Sequence, residues 1–138
     1  MVSELMKTKP GVAITKIADK LERGALVKPP AWAGALKMGP CNERAVMIHT
    51  VWFKRAASVL RTFYLSEGKP VGVERLRNKY GGRKRHTVGR AHHRKAGGGV
   101  IRRVVMQLEA AGFVMRAGKN AGRVITAKGK QFVDAALK

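Results

Sequence analysis

Residues 81–99 read GGRKRHTVGRAHHRKAGGG, and no other segment restricts the fold as much. Six of these positions are glycine and only Val88 is a large apolar residue. A stretch with so little to bury cannot form a layer of a core. A long loop in a small domain is usually functional or disordered, and this one is expected to order only on binding its partner. The core is left to the blocks on either side. The chain has 138 residues, 45% of them apolar, enough for one core. We therefore expect a single domain over 1–138 with a basic loop at 81–99.

The flanking blocks carry helical patterns. Val12, Ile14, Ile17, Ala18 and Leu21 recur at roughly the 3.6-residue period, and Gly24 closes a helix over 12–23. Pro29 and Pro30 force an extended turn, after which Trp32, Ala35, Leu36 and Met38 suit a short helical anchor ended by Gly39-Pro40. Residues 41–50 show no clear pattern. The clearest helix is 52–65, where Trp52, Ala56, Val59, Leu60 and Phe63 fall on one face and Arg55, Ser58 and Arg61 avoid it. A short helix through Val73, Leu76 and Arg77 precedes Tyr80-Gly81-Gly82.

After the loop, Ile101, Val104, Val105 and Leu108 share a face, and Gly112 is placed to stop the helix that begins at Val100. Phe113-Val114-Met115 and Arg123-Val124-Ile125 flank a turn-rich tip and predict a hairpin. Thr126 suits the N-cap of a last helix carrying Phe132, Val133, Ala136 and Leu137. This order predicts a mainly α, winged-helix-like domain around a central amphipathic helix, with one β-hairpin as its wing. The helix from Val100 takes the recognition-helix position.

The charge has a location. Lys and Arg total 29 against 8 Asp and Glu, a formal net charge of +21. No acid lies between Glu74 and Glu109, while 75–108 holds eleven Lys and Arg and three of the four His. So much self-repulsion calls for a polyanion, which leaves nucleic acid or an anionic membrane. Arg83, Lys84 and Arg85, then Arg90, Arg94 and Lys95, place guanidinium forks and ammonium groups among glycines that let a backbone approach closely. Arg102 and Arg103 open a helix, where cations oppose the macrodipole, and phosphate beside them would explain their presence. Arg75 and Lys79 add cations just ahead of the loop. Arg55 and Arg61 sit six apart on the central helix, so they share no narrow stripe, and one of them is open to a structural role.

Other chemistries are disfavoured. His86, His92 and His93 have no nearby Cys, Asp or Glu to complete a metal set, so base stacking or phosphate bonding suits them better. Tyr80 suits base stacking or a buried anchor. Cys41 is the one cysteine and fits a reducing compartment. Gly97-Gly98-Gly99 resembles a phosphate-binding turn but lacks the preceding strand and P-loop spacing. Ser3, Ser58 and Ser66 have no base partner in a known nucleophile motif. No enzymatic activity, cofactor, metal or small-molecule substrate is expected. The longest apolar run, 45–53, is too short to span a bilayer, and no secretory signal is expected.

Four segments together resemble a known family: RAASVLRTFYL at 55–65, VGVERLRNKYGGRKR at 71–85, HHRKAGGGVIRRVVMQLEAAGFV at 92–114 and GRVITAKGKQFVDAA at 122–136. They are similar to the small-subunit ribosomal proteins of archaea and eukaryotes called the S-nineteen-e family, over about four-fifths of the chain, from near Leu21 onward. The resemblance implies a helical winged-helix variant in the head of the small ribosomal subunit. It further implies binding to ribosomal RNA beside neighbouring ribosomal proteins, a role in small-subunit RNA maturation, and a cytoplasmic location, nucleolar during assembly in a eukaryote. The positions it carries to RNA are Arg55, Arg61, the 81–85 turn, His92, His93, Arg94, Arg102 and Arg103. The chain departs from the pattern at 48–53, where the usual acids are missing and Val51 stands in place of Trp, at Ala127, and across the first 20 residues.

Two rivals come from other classes. A winged-helix DNA-binding regulator would need base-reading side chains on the helix from Val100, and only Gln107 is available. An anionic-membrane binder would need a basic amphipathic helix with exposed aromatics, which the sequence lacks.

Overall fold

The computed structural model describes residues 4–45 and 50–138. Among these residues six helices and two antiparallel hairpins follow one another: α1 Glu4–Lys7, α2 Pro10–Arg23, α3 Thr50–Leu65, α4 Val73–Lys79, β1 Gly82–Lys84, β2 His92–Arg94, α5 Gly98–Ala110, β3 Val114–Arg116, β4 Arg123–Ile125 and α6 Ala127–Leu137. The mainly α, winged-helix-like architecture expected from the sequence is present.

The core forms around α3, which buries Trp52, Phe53, Ala56, Ala57, Val59, Leu60 and Phe63. Helix α2 lies along it with Ala13, Ile17, Ala18 and Leu21 turned inward. The buried stripe of α2 is rotated slightly from the expected one: Ala13 is fully buried and Val12 is about half exposed. The small Ala13 and Ala18 let the two helices approach closely. The segment after α2 contains a 3-10 turn, Ala31–Gly34. There Trp32 sets its ring edge-on to Trp52 at 5.8 Å while remaining exposed, and Met38 is the residue that buries.

Helix α5 begins two residues before Val100, at Gly98. It ends as the sequence indicates. Gly112 adopts φ +78, its N–H bonds to the Glu109 carbonyl, and the Phe113 N–H bonds to the Leu108 carbonyl. This pair of bonds closes a helix through a left-handed glycine, with Phe113 and Leu108 both buried beside it. Thr126 caps α6, accepting from the Gly129 N–H at 3.1 Å and donating to the Gly112 carbonyl at 2.7 Å. The β3–β4 hairpin pairs Val114 with Ile125, both in the core, and Val71 bridges the free edge of β4 at Arg123.

The segment expected to be a loop, 81–99, contains a second hairpin, so the fold has two hairpins where the sequence pattern predicted one. Gly82 pairs with Arg94, Arg83 with His93 and Lys84 with His92. None of these six residues is buried. Backbone pairing alone makes this ribbon, and it leaves no apolar alternation in the sequence to reveal it.

Candidate nucleic-acid interface

The β1–β2 ribbon carries its charge on both faces. Residues paired across two antiparallel strands share a face, and successive residues alternate. Lys84 and His92 therefore lie on one face with Arg94, while Arg83 and His93 lie on the other. Arg85 follows β1, and every residue from Arg83 to Lys95 is exposed. Val88 is completely exposed at the tip.

The foot of the ribbon is tied to α4. The Ala96 N–H bonds to the Arg77 carbonyl, and Arg77 Nε returns a bond to the Ala96 carbonyl at 3.0 Å. Glu74 accepts from Arg77 and, at 2.9 Å, from Lys95. Those two bonds, Lys95 first, hold the Glu74 carboxyl below the ordinary carboxylate value. Gly81 has no room for a side chain, because a Cβ there would meet the Arg94 carbonyl oxygen. Lys95, expected among the phosphate-binding groups, thus also holds the hairpin down. Arg75 is exposed on α4.

Beside that foot, α3 and the end of α4 assemble a cluster of cations and hydroxyls. The Arg55 guanidinium stacks 4.5 Å from the Tyr80 ring centroid. Tyr80 Oη lies 2.8 Å from Ser58 Oγ and 3.2 Å from Thr62 Oγ1. Lys79 Nζ donates to the same Thr62 hydroxyl at 2.9 Å. Tyr80 is therefore an anchor, and Arg55 is partly structural. Residues 55, 58 and 62 lie on one helical stripe, and Arg61 adjoins it. Arg61 has its Nε buried with no hydrogen-bond partner among the described residues.

No carboxylate offsets this cluster among the described contacts. Burial lowers the pKa of Arg55, with the Tyr80 oxygen and Cys41 opposing the shift. Lys79 is lowered first by burial and then by the nearby Arg61 charge. Cations held close together, one with an unsatisfied buried N–H, form a site that an anion would complete. The sequence spacing of Arg55 and Arg61 could not show this, because α4 supplies the two groups that join them.

Arg102 and Arg103 are exposed in the first turns of α5. The Arg102 guanidinium and Arg77 Nε both flank Gly98, so the α5 start adjoins the ribbon foot. Gln107, the one base-reading candidate, is already committed. It accepts from Trp52 Nε1 at 3.0 Å and donates to the Lys28 carbonyl at 2.6 Å. Among the described residues no three His, Cys, Asp or Glu come together, and no helix is long and apolar enough to cross a membrane.

Sequence comparison finds the family described as Ribosomal protein S19e matching residues 4–138. The match includes most of the first 20 residues, which depart from the family's motifs. The chain is 43% identical over 122 residues to "Small ribosomal subunit protein eS19" of Aeropyrum pernix, covering 88% of this chain and 78% of that one. It is 37% identical over 121 residues to "Small ribosomal subunit protein eS19G" of Ascaris suum, covering 88% and 80%. It is 36% identical over 121 residues to "Small ribosomal subunit protein eS19A" of Schizosaccharomyces pombe, covering 88% and 82%.

Proposed function

The chain belongs to the ribosomal protein S19e family, and from that premise we propose that it is a structural protein of the small ribosomal subunit that grips ribosomal RNA. The observation that carries the RNA-binding part is the acid-free β1–β2 ribbon standing on an uncompensated cluster of Arg55, Arg61 and Lys79. The ribbon supplies Arg83, Lys84, Arg85, His92, His93 and Arg94, and the adjoining helix starts supply Arg75, Arg102 and Arg103. Phosphate charge is neutralised and no bond is made or broken. The 1–138 chain acts as one RNA-binding domain in the head of the subunit, beside other ribosomal proteins, and supports subunit assembly and RNA maturation. It works in the cytoplasm, and in a eukaryotic cell would join the subunit in the nucleolus.

Replacing Arg83, Lys84 and Arg85 with Ala tests this. None of the three is buried, so the fold should survive. Incorporation into small subunits, read by sedimentation of a lysate, should fall sharply, and normal incorporation would sink the ribbon's role. RNA affinity should drop steeply with salt, by about three orders of magnitude or more between 50 and 200 mM if roughly six phosphates are held. The DNA-regulator reading is weakened by Gln107, whose amide is already bonded at both ends.

A further inference from the structure

The tip of the β3–β4 hairpin holds a second cationic cradle, built by a different device. Glu109, in the last turn of α5, offers one carboxylate oxygen to each of two arginines. Oε1 lies 3.2 Å from Arg116 Nε, and Oε2 accepts from Arg123 Nε at 3.0 Å. One carboxylate can reach both because Arg116 and Arg123 are cross-strand partners and share a face. Each guanidinium is thus held by its Nε edge. Among the described residues no further hydrogen bond occupies the terminal nitrogens of either.

Arg116 and Arg123, with Gly118, Lys119, Asn120 and Gly122, line an open pocket of about 300 Å³. Among the described residues no acid lines this pocket. Left-handed backbone at Asn120 and Gly122, φ 63 and 89, tightens the turn around it. Two oriented forks, one exposed ammonium and a small-residue rim make a site for phosphate oxygens. Glu109 lies behind the arginines and fixes them before any ligand arrives, which lowers the ordering cost of binding.

The cradle and the ribbon stand at opposite ends of α5. The ribbon foot precedes Gly98 and Glu109 closes the last turn, so 13 helical residues, a length of about 20 Å, separate them. We propose that the β3–β4 tip binds phosphodiester groups of RNA independently of the ribbon, so that the protein holds its RNA at two separated places. This rests on the RNA-binding reading above and adds a second contact to it.

The test uses the full chain and a small-subunit ribosomal RNA fragment, with affinity measured across a salt series. The variant Arg116→Gln with Lys119→Gln removes two exposed cations and leaves the core untouched. We expect thermal melting to change by no more than one exposed ion pair is worth, weaker binding, and a slope of log affinity against log salt that flattens by about 2. Glu109→Gln separates ordering from charge. It makes the protein more positive, yet should bind RNA less tightly because the two arginines lose their brace.

Wild-type affinity and slope in the Arg116/Lys119 variant, while the Arg83/Lys84/Arg85 variant loses both, would overturn the second site and leave the RNA reading intact. Tighter binding by Glu109→Gln would also count against the braced cradle. If wild-type protein fails to retain the RNA, the RNA reading itself falls and takes this inference with it. Inorganic phosphate is the remaining arm: an NMR response of Arg116 and Arg123 to phosphate, with RNA binding insensitive to their loss, would mark a free-phosphate site and overturn the RNA assignment.

Discussion

The β1–β2 and β3–β4 hairpins each consist of two three-residue strands, yet the first buries none of its paired residues while the second pairs Val114 with Ile125 in the core. Each is tied to a helix by one glutamate that holds two cations, Glu74 for the first and Glu109 for the second. These are also the two acids that bound the acid-free stretch. The topology is therefore common, and content decides the role. Apolar residues at the base make β3–β4 part of the core, and their absence leaves β1–β2 outside it. Stability can therefore be altered at the base of β3–β4, while the exposed cations of either hairpin can be removed without touching the core.

The comparison is broken most forcefully at Phe113. Truncation to Ala there should cost about 3–5 kcal/mol in a denaturant titration, whereas Val88→Ala at the β1–β2 tip should cost nothing measurable. Gly129→Ala is the next test. Its Cβ would run into the Phe113 carbonyl and Ile125, and we expect a loss of about 1–3 kcal/mol. Gly81→Ala should instead loosen the β1–β2 foot, reducing RNA binding with little change in the global melting temperature.

The smallest effect concerns acid. Hydrogen bonding from Arg123, the leading cause, holds Glu109 below the ordinary carboxylate value, as Lys95 and Arg77 do for Glu74. Lowered folded-state values mean that both clasps contribute fully above the unfolded carboxylate pKa. That contribution fades as pH falls through the lowered values. Glu109→Gln should therefore flatten the acid limb of the melting curve, by less than about 1 kcal/mol given its partial exposure. An unchanged acid limb would show that the clasp adds no stability.

Much of the fold was legible in the sequence because its signals were local. The α3 stripe, the Gly112 stop and the Thr126 cap each follow from residues within a few positions of one another. The β1–β2 pairing was hidden because no apolar alternation marks it. The α2 stripe was misread by a fraction of a turn because Val12 is apolar yet exposed. At the site, the cations were visible as a run, but their organisation was not. Stacking of Arg55 on Tyr80, and the sharing of Thr62 by Lys79 and Tyr80, need α4 folded back against α3. The wing cations Arg116, Lys119 and Arg123 escaped the sequence reading because they lie outside the acid-free stretch. Part of the divergent run at 48–53, residues 48 and 49, lies outside the described residues.

If RNA completes the cluster around the unsatisfied Arg61 Nε, as proposed above, its binding also stabilises the fold. A ligand that binds only the native state adds to its stability in proportion to the logarithm of ligand excess. Copies that have met RNA would then open rarely, and surplus copies would open often and present cleavable backbone to proteases. Limited proteolysis with and without RNA measures this directly: equal cleavage rates would show that the cluster adds no such stability.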